Sequence, residues 1–242
     1  MFRPQNTFLN TVLRLQVITS KKLIIISLLA LFYSIISNPV LADVTSQHQL
    51  IDAIESNPKS LDAAVRRGKG RASLCSHCHG IDGNSKRNYI PNLAAQNPKY
   101  LINQFDQFAT GKRKNYVMTQ LAETISHEDR AYLAIYFSQQ EAKSFTLNPD
   151  NEKRLGKILT QASTETGKAG FQAKCQMCHG NEAQGWQQLP RLAGQPASYL
   201  SKTLLKFKKQ HRDRPNSPMV SIAAELSEKE INDISAYLSL LE

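Results

Sequence analysis

Apolar residues recur at spacings of three and four along much of the chain, whereas strict alternation is rare. After Asn97, which can cap a helix, and Pro98, which suits a first helical position, the apolar residues Leu101, Phe105 and Phe108 form one stripe. This pattern predicts a helix that starts at Pro98. Because such segments dominate and strand signals are poor, the sequence predicts an all-α fold with long loops.

Two further helices are predicted by capping signals. Ser126 and Ser227 each precede an acidic residue by three positions, which is a signature of a helix start. The apolar residues that follow fall on one face of each helix: Leu133, Tyr136 and Phe137 in the first, and Ile234, Tyr237 and Leu238 in the second.

The longest apolar run lies near the N-terminus, from Leu23 to Ile36, after a basic segment without acidic residues. Short residues before and at Ala42 suit cleavage after this residue, so 1–42 is predicted to be a secretory signal peptide. An uncleaved membrane anchor is the alternative, although 14 residues are short for a hydrocarbon core of about 30 Å.

The rest of the chain repeats with an offset of 99 to 101 residues. The matching elements are Cys75–Gly80 with Cys175–Gly180, Pro91–Gln96 with Pro190–Gln195, and Met118 with Met219. A period this long indicates duplicated domains, because each copy can enclose its own core. We predict domain 1 at 43–140, a linker at 141–166 and domain 2 at 167–242.

All four cysteines lie in two Cys-x-x-Cys-His motifs, which are typical of covalent c-type haem attachment. Two thiols at this spacing can reach the two vinyl groups of one porphyrin, and the adjoining imidazole can bind its iron. The motifs predict two haem c groups, with Cys75, Cys78 and His79 for the first and Cys175, Cys178 and His179 for the second.

Three other interpretations explain less of this pattern. A structural zinc site needs four ligands close together, but the two cysteine pairs lie 100 residues apart. A thioredoxin-like redox pair needs a βαβ pattern, which is absent from the sequence. Disulfides would suit an exported protein, but they leave the histidine after each pair unexplained.

A sixth iron ligand is predicted at Met118 and Met219, which follow the motif histidines by 39 and 40 residues. A buried methionine is more often a gap-filler, but matching positions in both copies favour ligation, and a thioether ligand raises the redox potential. The alternatives are His48, His127 and His211. They do not match between copies, so we interpret them as surface residues.

Two prolines follow the motif histidines at similar distances. Pro91 and Pro190 lie 12 and 11 residues after His79 and His179. Their carbonyl groups could accept the imidazole N–H and fix the ring. The residues alone do not distinguish this role from that of turn prolines.

The chain resembles the dihaem cytochromes c4, a family of the class I cytochrome c superfamily. The resemblance covers about 66–140 and 167–242. It rests on Gly68-Lys69-Gly70, Cys75–Ser85, the two Pro-x-Leu-Ala-x-Gln segments, Met118 and Met219. Local departures are Ala95 in place of the usual glycine, Gln184-Gly185 after the second motif, and an extra helical segment at 44–65.

This resemblance implies two tandem class I cytochrome c domains, each wrapped around one covalently attached haem near the domain interface. It implies histidine and methionine ligation of iron, with Pro91 and Pro190 as acceptors for the histidines. It also implies a periplasmic carrier between a quinol-oxidising complex or periplasmic dehydrogenase and a terminal oxidase.

Met-ligated iron leaves no open position for substrate, so we do not expect an enzyme. The alternatives are a dedicated haem subunit of a periplasmic oxidoreductase complex and a dihaem enzyme such as a peroxidase. We expect a monomer, and peripheral association with the membrane stays open.

The chain has 30 Lys and Arg against 20 Asp and Glu. Four of the basic and none of the acidic residues lie in 1–42, so cleavage would leave a formal charge of +6. Export argues against nucleic acid as a partner. Basic residues cluster before both methionines, at Lys112, Arg113 and Lys114 and at Lys202, Lys206, Lys208, Lys209, Arg212 and Arg214. They form either a solvated surface or a docking face for acidic redox proteins.

Overall fold

Helices joined by long loops make up both copies of the repeat, which confirms the all-α prediction. The computed structural model describes residues 39–143, 162–209 and 217–242, with side chains from residue 45. The first copy contains α1 (Pro39–Glu55), α2 (Pro58–Arg71), α3 (Ser73–His79), α4 (Pro98–Ala109), α5 (Tyr116–Thr124) and α6 (His127–Ser138). The second contains α7 (Thr164–Lys174), α8 (Gln176–His179), α9 (Ala197–Lys208), α10 (Met219–Ala224) and α11 (Glu228–Ser239).

The predicted signal peptide up to residue 38, most of the predicted linker, and His211, Arg212 and Arg214 lie outside the described residues. Within the described ranges, no helix is both long enough and apolar enough to cross a membrane. Residues Ser46–Glu242 form one compact unit that includes both copies of the motif.

Each copy is organised around one close crossing of two helices, α2 with α6 and α7 with α11. A glycine makes each crossing possible. A Cβ atom on Gly68 would lie 2.2 Å from the carbonyl oxygen of Tyr132, and one on Gly167 would lie 2.1 Å from that of Asp233. Glycine at these positions therefore lets the two backbones touch.

Two separate hydrophobic cores form around these crossings. The first includes Ile51, Ile102, Leu133, Ile135 and Phe137, and the second includes Phe171, Leu200, Leu226, Ile234 and Leu238. Leu133, Tyr136, Phe137, Ile234 and Leu238 are all buried, as the apolar faces predicted, and Tyr237 packs at the edge of its core.

The predicted helix starts are confirmed, but one predicted cap is wrong. Ser126 accepts a hydrogen bond from the N–H of Asp129, and Ser227 forms a capping box with Glu230. The helix that begins at Pro98 has no side-chain cap. The Asn97 amide instead donates to the carbonyl oxygen of Leu189 in the second copy, at 2.8 Å. It contributes to the interface between the copies in place of capping its helix.

Candidate haem sites

In domain 1, the short helix α3 carries Cys75, Cys78 and His79, and Gly80 is its C-cap. Gly80 has a φ of 85°, and a Cβ atom there would lie 2.1 Å from the carbonyl oxygen of Asn84. Only glycine fits such a turn, because its backbone reaches positive φ freely and it has no side chain to clash. The turn ends the helix directly after the histidine and places His79 in a buried position.

The ring of His79 is held by the backbone of the following loop. Its Nδ1 atom lies 2.9 Å from the carbonyl oxygen of Pro91, at hydrogen-bond distance. Burial lowers the pKa of His79, and its bond to Pro91 opposes this effect only in part. The imidazole is therefore neutral at pH 7. When Nδ1 donates to Pro91, Nε2 is the ring nitrogen left with a lone pair for a metal.

Domain 2 repeats this arrangement. Helix α8 carries Cys178 and His179, and its C-cap is Gly180, whose φ is 83°. The Nδ1 atom of His179 lies 3.0 Å from the carbonyl oxygen of Pro190. Burial lowers the pKa of this histidine as well, so it too is a neutral donor.

None of the four cysteines is engaged in a disulfide. Burial raises the pKa of the Cys75 thiol to about 11, with a further contribution from Cys78. Burial likewise raises the pKa of Cys175 to about 11. A thioredoxin-like redox pair needs a thiol whose pKa is lowered. The environment of Cys75 and of Cys175 instead raises the pKa of the thiol.

The predicted sixth ligands occupy matching places. Met118 lies in the first turn of α5, where its N–H donates to the side chain of the capping residue Asn115. Met219 is the first residue of α10, and its N–H donates to the hydroxyl of Ser217 at 3.3 Å. Both methionines are partly buried. Their role as iron ligands stays a prediction.

Among the residues that the structure describes, the other histidines are not assembled into these sites. The Nε2 atom of His48 pairs with the side chain of Asn103 at 3.0 Å, and His77 and His127 are exposed.

Arg113, one of the basic residues predicted to form a surface cluster, lies between the two copies. The guanidinium of Arg113 lies over the ring of Phe108 and donates to Gln104 and to the hydroxyl of Tyr199 in domain 2. Arg113 is therefore partly buried between the copies, whereas Lys112 and Lys114 are exposed.

The residues present fit haem c. Each copy offers two thiols three positions apart, a neutral imidazole with Nε2 left for iron, and a thioether at a matching distance along the chain. The Nε atom of Arg191 is also buried without a hydrogen-bond partner among the described residues, and burial lowers the pKa of this guanidinium. A haem propionate is a group that can satisfy such a nitrogen.

Two buried glutamines have a role that the sequence did not predict. Gln195 of domain 2 accepts from the N–H of Asn92 at 2.9 Å and donates to its carbonyl oxygen at 2.8 Å. Gln96 of domain 1 accepts from the N–H of Arg191 at 2.7 Å and donates to its carbonyl oxygen at 2.9 Å. Both glutamines close the repeated Pro-x-Leu-Ala-x-Gln segments. Their matching places in the repeat are the signal in the sequence that could have indicated a shared role.

Two helical copies, each with a haem-attachment motif and a histidine held by a proline carbonyl, define a tandem class I cytochrome c. A family model described as "Cytochrome c" matches residues 164–242. Cytochrome c4 of Pseudomonas aeruginosa is 37% identical over 182 residues, which span 73% of this chain and 87% of the relative. The chain belongs to the cytochrome c4 family and carries two haem c groups.

Two further comparisons agree with this assignment. The crystal structure of reduced cytochrome c4 from Pseudomonas stutzeri superposes with a TM-score of 0.62 at 29% identity, covering 74% of this chain and 98% of that one. A protein named thiosulfate dehydrogenase electron acceptor, from Stutzerimonas stutzeri, is 29% identical over 69% of this chain and 79% of its own.

Proposed function

We propose that this protein is an exported, periplasmic electron carrier that holds one electron at each of its two haems. The observation that carries this proposal is the duplication of one donor set. In both copies a motif histidine is buried, neutral and bonded to a proline carbonyl, at 2.9 Å in domain 1 and 3.0 Å in domain 2. Duplicated geometry of this kind suits two equivalent one-electron sites.

Each residue of the set has one task. The thiols of Cys75 and Cys78, and of Cys175 and Cys178, attach the porphyrin covalently. His79 and His179 bind iron through Nε2, while Pro91 and Pro190 hold Nδ1 and so fix the tautomer and the ring orientation. When bound, each haem supplies a one-electron Fe(III)/Fe(II) couple.

Met118 and Met219 complete the two sites as sixth ligands. A neutral thioether favours the reduced metal and raises the redox potential. It also fills the position that a substrate would need, so both sites transfer electrons and do not perform ligand chemistry. This ligation distinguishes a carrier from a dihaem peroxidase.

The donor in this proposal is a quinol-oxidising complex or a periplasmic dehydrogenase, and the acceptor is a terminal oxidase. Lys202, Lys206 and Lys209 are exposed on or just after α9, where their charge can attract an acidic partner. Lys208 is partly buried and donates to the carbonyl oxygen of Ala224.

A second candidate function is that of a permanent subunit of an oxidoreductase. The observation that favours it is the similarity to the thiosulfate dehydrogenase electron acceptor over 79% of that protein. Co-purification tests it. A free carrier elutes alone from a periplasmic extract, whereas a permanent subunit elutes with a stoichiometric partner.

Potentiometric titration of the purified holoprotein, with and without cyanide, tests the carrier proposal. We expect two high-potential one-electron steps and no cyanide binding. Met118→Ala should open only the site in domain 1, and Met219→Ala only that in domain 2, so each variant should bind one cyanide. A wild-type protein that binds cyanide readily would support an enzyme instead.

The docking face is tested by replacing Lys206, Lys208 and Lys209 with Ala. We expect a several-fold slower reaction with an acidic redox partner at low ionic strength and little difference at high salt, because salt screens exposed charges. A matched control replaces the exposed residues Lys59, Lys69 and Lys168, which changes the net charge equally. Equal slowing in both variants would assign the effect to net charge and not to this face.

Export predicts a mature chain that begins at Asp43. N-terminal sequencing of protein isolated from the periplasm measures this directly. A mature protein that retains residues 1–42 would instead indicate that the apolar segment is kept as an anchor.

A further inference from the structure

The two domains are joined by a pair of reciprocal hydrogen-bond rings. In one ring, the amide of Gln195 engages both backbone groups of Asn92, and in the other the amide of Gln96 engages both backbone groups of Arg191. Both glutamines are 3% exposed, so water does not compete for these bonds. Each ring joins a side chain of one domain to the backbone of the other.

The backbone groups in these rings also belong to the peptides that contact the motif histidines. Asn92 directly follows Pro91, so the N–H that Gln195 receives belongs to the same peptide group as the carbonyl that His79 contacts. The same is true of Arg191, Pro190 and His179. One peptide group therefore lies between each motif histidine and a glutamine of the opposite domain.

Hydrogen bonds in series polarise one another. When a peptide N–H donates to a strong acceptor, the carbonyl of that peptide gains negative charge and becomes a better acceptor itself. Gln195 thereby strengthens the bond from His79 to Pro91 and gives the imidazole more anionic character. A more anionic imidazole is a stronger ligand for the oxidised metal, which lowers the redox potential.

We propose that Gln195 and Gln96 are positioning residues that tune, each from the opposite domain, the histidine that binds iron: Gln195 acts on His79 and Gln96 on His179. The inference rests on the proposed role of these histidines as iron ligands. It goes beyond that role because it assigns part of the control of each site to the other domain.

The two rings also differ in one respect. The carbonyl oxygen of the Gln96 side chain accepts from the N–H of Asn97 at 3.0 Å as well as from that of Arg191. In domain 2, the side-chain oxygen of Gln195 accepts from the N–H of Asn92, and the residue after Gln195 is Pro196, which has no N–H to donate. Because a shared acceptor polarises each donor less, we expect Gln195 to exert the stronger effect.

The test uses Gln195→Leu and Gln96→Leu in the holoprotein. Leucine fills much of the same volume, excludes water and cannot accept the N–H. We expect Gln195→Leu to raise the potential of the domain 1 haem and leave that of domain 2 unchanged. Gln96→Leu should do the opposite. Met118→Ala and Met219→Ala, each of which alters one of the two proposed sites, assign the two potentials to their domains.

A second measurement reports on the hydrogen bond itself. In the reduced protein labelled with ¹⁵N, the Nδ1–H proton of His79 should move upfield in Gln195→Leu, while that of His179 should stay in place. Gln195→Asn, which is too short to reach Asn92 but stays polar, should give the same direction and serves if the leucine variant does not fold. The control Asn97→Ala removes a bond between the domains to Leu189, but leaves both peptide groups intact.

The crossed pattern is what the proposal requires. Shifts in the domain that carries the substitution, equal shifts in both domains, the same shifts in Asn97→Ala, or no shift at all would each overturn it. Failure of the proposed function would show differently, because the wild-type protein would then lack two histidine-bound low-spin haems before any substitution was made.

Discussion

The two domains build the same site with different internal supports. Both hold the motif histidine on a proline carbonyl, and both cross two helices at a glycine. Domain 1 contains a buried ion pair between Arg130 and Asp106, at 2.8 Å. The repeat offsets place Ile231 and Leu205 at these positions in domain 2. The histidine geometry therefore does not depend on this ion pair.

The ion pair nevertheless has a local task in domain 1. Arg130 donates through Nε to the carbonyl oxygen of Ile125 and through a terminal nitrogen to that of Ala122. These carbonyls lie at and just after the C-terminal end of α5, the helix whose first turn carries Met118. Arg130 thus ties the methionine-bearing helix to α6. In domain 2, the buried apolar side chains of Leu226 and Ile231 lie at the positions of Ile125 and Arg130.

Domain 2 has a buried charge of its own at a different position. Asp233 is fully buried on α11, where it accepts from the N–H of Ser163 at 3.0 Å and pairs with Lys229 at 2.7 Å. Its counterpart in domain 1 is Tyr132, whose hydroxyl contacts Arg67. The repeated fold therefore fixes the crossing and the site, whereas these buried charged groups differ between the copies.

The largest effect on the free energy of unfolding is expected when the buried ion pair of domain 1 is replaced by apolar residues like those of domain 2. Arg130→Ile alone should destabilise the protein by about 3 to 5 kcal/mol, because it leaves Asp106 buried without its charge partner. The double variant Arg130→Ile and Asp106→Leu should recover most of this loss, since an apolar pair can replace a buried ion pair. Denaturant unfolding of the holoproteins measures both.

The same variants show whether Arg130 steadies Met118. In Arg130→Ile we expect the sulfur-to-iron charge-transfer band of the oxidised protein to weaken. The loss should equal the intensity that the haem of domain 1 contributes. The share of domain 2 should remain. A single variant as stable as the wild type, with an unchanged band, would contradict a supporting role for the ion pair.

The glycines of the crossings should give effects of intermediate size. Gly68→Ala places a methyl group against the carbonyl of Tyr132 and should cost about 1 to 3 kcal/mol, or more if the helices must separate. Gly167→Ala should cost a similar amount in domain 2. Gly70 has nothing within 4 Å of its Cβ position, so Gly70→Ala should stabilise α2 by up to about 1 kcal/mol.

Thermal unfolding of the three holoproteins checks these signs. Loss of stability in Gly70→Ala comparable to that in Gly68→Ala would mean that helix α2 itself, and not its contact with α6, is sensitive to the substitution. A cost in Gly68→Ala but not in Gly167→Ala would show that the two crossings tolerate separation differently.

The sequence predicted the parts of this molecule that depend on local chemistry. Helix starts at Ser126 and Ser227 follow from capping within four residues. The attachment motifs could be identified because cysteine and histidine are rare and their spacing is specific. The repeat then connected Met118 with Met219 without any structural information.

What could not be predicted depends on residues far apart in the chain. Asn97 had the right type and position for a cap, but it donates to Leu189, 92 positions away. Arg113 is adjacent in sequence to the exposed Lys112 and Lys114, but it contacts Tyr199 across the interface. The glutamine rings join residues 95 and 103 positions apart, so no local pattern distinguishes them from surface glutamines.

The smallest effect compares one residue that departs from the family pattern with its counterpart. Ala95 and Gly194 both have positive φ, 51° and 69°, and both N–H groups donate to the closing helix, to Phe137 and Leu238 respectively. Alanine in this region is strained by about 1 to 2 kcal/mol, whereas glycine costs more unfolded-state entropy. Ala95→Gly should therefore stabilise domain 1 by up to about 1 kcal/mol, and Gly194→Ala should destabilise domain 2 by a similar amount.

Steric contact does not explain the expected cost of Gly194→Ala, because a Cβ atom on Gly194 would meet no heavy atom closer than 3.3 Å. The backbone conformation is what differs in cost, so the two substitutions should have opposite signs and similar size. Differential scanning calorimetry of the single variants and of the exchange double variant, Ala95→Gly with Gly194→Ala, measures them. A double variant as stable as the wild type would show that alanine at this turn costs the same stability in both domains. Loss of stability in Ala95→Gly would mean instead that contacts of the Ala95 methyl group outweigh the strain.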